Sequence, residues 1–133
     1  MHKKLDRNIN KSINLAIKKN KSGYIWEKTI GITLEELKEH LEKNFKDYMN
    51  WGNYGVEWII GKVIPTSAYR YGNVKGNEFK KAWSLKNFIP ISKSEHSKQN
   101  GKIIIELIST YNLFDILPSG MIQFEGKINE VDL

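Results

Sequence analysis

The sequence predicts an α+β fold, in which a helical N-terminal part precedes a core that mixes strands and helices. Three observations carry that expectation. From Leu5 to Lys19, Leu5, Ile9, Ile13, Ala16 and Ile17 recur at three- and four-residue spacings, the period of an amphipathic helix. Thr33 followed by Glu36 is a capping-box pattern, with Ile32 and Leu37 placed to staple the helix start. Glu57 to Pro65 is apolar, β-branched and ended by proline, which reads as a strand.

The remaining elements follow in order. Lys21-Ser22-Gly23 reads as a loop. Leu34, Leu37, Leu41 and Phe45 give the Thr33 helix its buried stripe, and His40 beside them reads as a partly buried structural histidine. That helix is expected to end near 44–47. Met49 to Gly55 is a loop rich in glycine and asparagine that carries Trp51 and Tyr54. Residues 70–77 form another loop, and Phe79 to Trp83 a short helix. Asn87 to Ile91 is extended, and Ser92 with Glu95 marks a second capping box for a helix through Ser97. Lys102 to Leu113 fits a helix or a strand, because the run Ile103-Ile104-Ile105 suits both. Pro118-Ser119-Gly120 reads as a turn, and Met121 to Ile128 as a terminal strand.

The chain has 133 residues, the size of one domain with a core of its own. Without cysteine, disulfides, thiolate zinc sites and cysteine nucleophiles are excluded. No apolar run approaches the roughly 18 residues that span a membrane. The polar N-terminal stretch lacks a signal peptide's apolar segment. The sequence therefore predicts an intracellular, cytoplasmic protein with no membrane partner.

Net charge is +6, and it is concentrated. Residues 1–22 hold seven basic side chains against Asp6 alone, whereas residues 23–133 are balanced. At about 100° per residue, Lys4, Arg7, Lys11, Lys18 and Lys21 fall opposite the apolar stripe of the first helix. Such a helix can pack on the domain with one face and meet a polyanion with the other. Only Arg7 and Arg70 are arginine. Lysine is a point charge and arginine the bidentate guanine reader, so phosphate contact is expected over base readout. Tyr69-Arg70-Tyr71 reads either as an exposed aromatic and basic cluster able to stack on unpaired bases or as a turn with a solvated arginine. Trp51, Trp58 and Trp83 read as core.

In chain order, the helix Thr33–Phe45, the loop residues Met49, Trp51 and Asn53-Tyr54-Gly55, the strand bracketed by Trp58 and Pro65, the run Phe79-Lys80-Lys81-Ala82-Trp83 with Leu85, the pair Asn87 and Pro90, and finally His96 make a recognisable pattern. Over residues 24–102 the chain resembles the HNH endonucleases of phages and mobile elements, members of the His-Me finger (ββα-metal) group. The resemblance implies one domain over residues 1–133. Within it, a basic amphipathic helix (1–22) precedes an HNH-like ββα-metal core (24–102) and a C-terminal helix and strand extension (103–133).

The departures fall on the chemistry. Where the family reads WHIDHIIP, this chain reads Trp58-Ile59-Ile60-Gly61-Lys62-Val63-Ile64-Pro65. By the resemblance, Gly61 replaces a metal-ligating aspartate and Lys62 replaces the general-base histidine. Asn87 is retained at a position that braces the loop after the catalytic strand. His96 is retained where the family keeps a second metal ligand. Phosphodiester hydrolysis there needs a hard cation and a neutral imidazole. One histidine, with glycine in the aspartate's place, is a poor magnesium site. Glu57, two and four residues before Ile59 and Gly61, is a weak substitute ligand by period-two counting, and His96 reads as a residue that hydrogen-bonds within the finger. A protonated Lys62 contacts phosphate and takes no proton. Loss of the base alone removes about two to four powers of ten in rate.

The expectation is therefore a catalytically inactive HNH-like protein, a pseudonuclease without cofactor. It would bind DNA or RNA through Lys4, Arg7, Lys11, Lys18, Lys21, Lys62 and Arg70. An alternative is a phage-encoded inhibitor of a host defence nuclease, anti-CRISPR-like, docking on a nucleic-acid-binding complex. A third reading keeps a divergent metal-dependent endonuclease that uses Glu57, Lys62 and His96.

Overall fold

The computed structural model describes residues 2–119, 121–124 and 127–130. Their order is α1 (Lys3–Lys19), α2 (Ile25–Ile30), α3 (Leu34–Lys43), β1 (Trp58–Lys62), α4 (Asn77–Ala82), β2 (Phe88–Ser92), α5 (Lys93–Gln99), α6 (Ile105–Thr110), β3 (Met121–Phe124) and β4 (Lys127–Glu130). The architecture is α+β: N-terminal helices, two two-stranded antiparallel sheets (β1–β2 and β3–β4) and further short helices.

Helix α1 buries Ile9, Ile13, Ala16 and Ile17 and ends at Asn20, whose left-handed conformation (φ 49°) returns its N–H to the Ala16 and Ile17 carbonyls. Asparagine tolerates that region better than most side chains, which is why it stops helices. Helix α2 fills a stretch that carries no strong sequence signal. Its Trp26 is buried while Ile25 is exposed. Glu27 links two helix starts, with Oε1 accepting from Tyr24 N (3.0 Å) and Gly23 N, and Oε2 from Leu34 N (2.9 Å). Burial opposes ionisation of this carboxyl, but the three backbone donors outweigh it and hold its pKa below the usual range.

Helix α3 starts as its sequence requires. Thr33 Oγ1 accepts from Glu36 N (3.1 Å), Glu36 Oε1 accepts from Thr33 N (3.0 Å), and Ile32 and Leu37 are both buried. After it, Phe45, Trp51, Tyr54 and Trp58 pack edge to face and tilted, with centroids 5.0–6.2 Å apart. This aromatic cluster holds the loop against the start of β1.

Strands β1 and β2 pair antiparallel, with Trp58 opposite Ser92 and Lys62 opposite Phe88. β1 is shorter than the run Glu57–Pro65 suggests. Glu57 lies in the preceding turn and is exposed, so it does not share a strand face with Gly61. Ser92 caps α5 by accepting from Glu95 N (3.1 Å). The return half of the expected box is replaced, because the Glu95 carboxylate accepts from Lys46 Nζ instead (3.1 Å). That bridge ties α5 to the loop after α3.

Within the ambiguous stretch 102–113, residues 105–110 form helix α6, and the chain on either side of it is non-helical. Met121–Phe124 and Lys127–Glu130 form an antiparallel hairpin rather than one terminal strand. The expectations at Gly120, and in the C-terminal extension at 125–126 and 131–133, lie outside the described residues. The core joins the α1 stripe to Leu34, Leu37 and Leu41 of α3, and to Val63, Ile64, Phe79, Trp83, Phe88 and Ile108. Among the described residues no helix is long and apolar enough to cross a membrane.

Candidate functional site

The antiparallel strands and helix α5, which follows β2, bring Gly61 close to His96. Gly61 is buried in β1, and a Cβ built on it would stand 3.7 Å from His96 Cδ2 on α5. The same Cβ would stand 2.7 Å from the Ile91 Cγ2 methyl of β2. Real Cβ atoms do not approach that closely, so Ile91 already occupies the space a side chain at position 61 would need. Glycine here is a packing requirement.

His96 is exposed, and its imidazole makes no hydrogen bond among the described residues. The sequence-based expectation that it bonds within the finger is thus not met: α5 turns it outward, towards Gly61 and solvent. Among the described residues no three histidine, aspartate or glutamate side chains cluster as a metal site. The donor set around Gly61 does not fit a divalent cation, since glycine offers no ligand there and Glu57 sits in a turn.

Asn87 is fully buried and fastens the chain after β1. Its Oδ1 accepts from Ile64 N (2.8 Å), and its Nδ2 donates to Ile64 O and Ala82 O (both 2.9 Å). Gln99 does similar work from α5, donating to Val63 O (3.1 Å) and Lys62 O (3.4 Å). Its place three residues after His96 was visible in the sequence, but which carbonyls it meets was not.

Lys62 follows Gly61 onto the other face of β1. Its ammonium lies 4.0 Å from the Trp83 ring centroid and 5.0 Å from that of Phe88, and it donates to Asn10 Oδ1 of α1 (3.2 Å). No carboxylate pairs with it among the described residues. Desolvation pushes its pKa down to about 8, against the weaker pull of Asp6. Lys62 is half-buried, not the open phosphate contact the sequence suggests. With Asn10, Gly61, Thr66, His96 and Gln99 it lines a cleft of about 160 Å³ between α1, β1 and α5.

The other expected contact residues are exposed. Lys4, Arg7, Lys11 and Lys18 line the outer face of α1, Lys21 follows its end, and Arg70 lies in the loop before α4. The flanking tyrosines correct the reading of an exposed stacking cluster: Tyr69 and Tyr71 are buried at 1% and 5% exposure. Tyr69 donates to Ile116 O (2.6 Å) and Tyr71 to Asp6 Oδ1 (2.5 Å). Burial first, and the Asp6 bond second, raise the Tyr71 pKa. The expected core tryptophans Trp58 and Trp83 are buried, while Trp51 is half-buried and donates to Glu42 (2.7 Å). His40 is half-buried and hydrogen-bonded to Phe88 O (2.8 Å).

Sequence reasoning missed Asp6. It is buried on the apolar face of α1, three residues before Ile9, where it accepts from Tyr71 and meets His2 Nδ1 (2.6 Å). A carboxylate on an otherwise aliphatic stripe requires buried donors, and that was the available signal. Asn10 and Asn14 were also missed. They stand at the edge of the α1 stripe and bond Lys62 and the Tyr54 hydroxyl, so α1 sits directly beside the cleft.

A curated protein of Acanthamoeba polyphaga mimivirus, described as uncharacterized protein L426, is 25% identical to this chain over 100 residues. That match covers 75% of the chain and 40% of the viral protein, so the chain spans less than half the length of the curated relative it matches. No protein-family model matches the sequence, and no solved structure matches it significantly.

Proposed function

We propose that this protein is a catalytically silent HNH-type ββα finger that binds nucleic acid along α1 and across the Gly61–Lys62 cleft. The observation that carries the reading is the continuity of the basic face with the cleft. Asn10 lies between Arg7 and Lys11 on α1 and bonds Lys62, so a phosphate backbone laid along α1 runs over the mouth of the cleft. Three features support the finger assignment. β1 and β2 pair antiparallel and α5 follows β2, with α4 in the connection between the strands; Gly61 faces His96; and Asn87 braces the chain that leaves β1. The silent chemistry follows from position 61, which offers no ligand and which Ile91 closes.

Binding of this kind is electrostatic, and its strength falls steeply with salt because each phosphate contact releases a counterion. Fluorescence anisotropy with labelled duplex and single-stranded oligonucleotides, between 50 and 300 mM salt, tests it. With five or six contacts the slope of log K against log salt is about −4.5 to −5.4 on duplex. A flat response refutes the reading. Supercoiled plasmid incubated with magnesium, manganese, nickel or zinc should remain uncut, and a nick would restore the endonuclease reading. Recovery of a stoichiometric host protein in place of nucleic acid would favour the inhibitor reading.

A further inference from the structure

We propose that Lys62 is a reactive amine that forms a Schiff base with a phosphate-bearing aldehyde in the cleft between α1, β1 and α5. The argument begins with what surrounds the amine. Surface lysines are hydrated, and buried ones are normally paired with a carboxylate. Lys62 has neither environment: it is half-buried over Trp83 and Phe88, and its one hydrogen-bond partner among the described residues is the neutral Asn10 Oδ1. A lysine desolvated against apolar walls is the arrangement that activates amines for attack on carbonyls. With a pKa near 8, on the order of a quarter of the amine is free at pH 7.5.

The cleft also suits the rest of the ligand. Gly61, Thr66 and His96 line the same walls, the last two with polar groups. Arg7 and Lys11 flank Asn10 on α1 and offer cations for the phosphate. The Lys62 lone pair attacks the carbonyl carbon, and the carbonyl electrons move to oxygen, which takes a proton. The nitrogen loses a proton to water, giving a neutral carbinolamine. Its nitrogen lone pair then expels the hydroxyl, which takes a proton from solvent and leaves as water, and the remaining N–H proton returns to solvent to leave the imine. No oxidant or reductant is needed. Two sources share this ligand chemistry, the open-chain sugar of an abasic site in DNA and a free phosphorylated aldehyde. The first source rests on the nucleic-acid reading above, and the second does not.

Borohydride trapping distinguishes them. The intact chain is incubated at pH 7.5 with an oligonucleotide carrying one abasic site, and in parallel with pyridoxal 5′-phosphate, each followed by borohydride. Peptide mapping by mass spectrometry then locates any reduced adduct on the wild-type protein, independently of any variant. The expected result is a single adduct at Lys62. Lys62→Arg should lower the yield at least tenfold while its circular dichroism melt shows a folded protein. Adducts spread over exposed lysines in proportion to their number, or no adduct in either arm, overturn the proposal. Trapping by pyridoxal phosphate alone supports the amine and assigns it to free aldehydes. If undamaged DNA binds with the expected salt slope but nothing is trapped, the nucleic-acid reading stands and this inference falls.

Discussion

At the level of single residues, Gly61 and Lys62 decide the character of the site. A methyl at position 61 meets Ile91 Cγ2 at 2.7 Å, and a β-branched side chain in a packed sheet has little room to retreat. Gly61→Ala should therefore destabilise by about 1–3 kcal/mol, read from chemical denaturation. Ile91→Ala combined with Gly61→Ala should recover less than additive loss, because the two share one space. Lys62 makes stability depend on pH in a fixed direction. The unfolded lysine titrates near 10.5 and the folded one near 8. Between those values the unfolded chain holds more protons, so stability rises as pH increases through that window. The buried tyrosines act oppositely but later, because their raised folded pKa values cost stability only once unfolded phenols ionise near 10. Thermal melts should thus show a higher Tm at pH 9.5 than at pH 7. Lys62→Met should remove that rise and stabilise the protein at pH 7 by about 1–3 kcal/mol.

Elements show which interactions are local and which are imposed. Helix α1 is the clearest case of a division of labour, with isoleucines turned inward and cations outward. Replacing Arg7, Lys11 and Lys18 by glutamine leaves the buried stripe untouched and removes three of the phosphate contacts proposed above. The salt slope for duplex binding should become shallower by about 2.7, while the melting temperature changes little. Helix α3 and the start of α5 were legible in the sequence because their caps lie within three residues of each other. Helix α2 was not. It has six residues, too few for helical periodicity to register, and it forms because Glu27 gathers backbone donors from both ends of the turn. The return half of the α5 box failed for a related reason: Lys46, 49 positions away in sequence, competes for the Glu95 carboxylate.

Across the whole molecule, α1 is fastened to the core by a chain of polar contacts as well as by its isoleucines. Trp83 donates to the Tyr71 hydroxyl (3.1 Å), Tyr71 donates to Asp6, and Asp6 meets His2, which stacks on Tyr71 with centroids 3.7 Å apart. Asp6→Ala would leave the buried Tyr71 hydroxyl without its acceptor. It should cost about 1–3 kcal/mol, and hydrogen exchange should show the increase in opening concentrated in α1. The sequence by itself determined the amphipathic α1, the capped α3, the strand at Trp58, the asymmetry of charge, and the absence of an acidic or imidazole side chain at positions 61 and 62. Those are properties of neighbours along the chain, or of composition, and need no knowledge of what packs where. Only the tertiary structure decided that Tyr69 and Tyr71 are buried, that Ile91 fills the space beside Gly61, that His96 faces outward, and that Lys62 rests on aromatic rings beneath Asn10. Each of these depends on contacts between residues distant in sequence, whose energies are set by burial and by partners that no local pattern specifies.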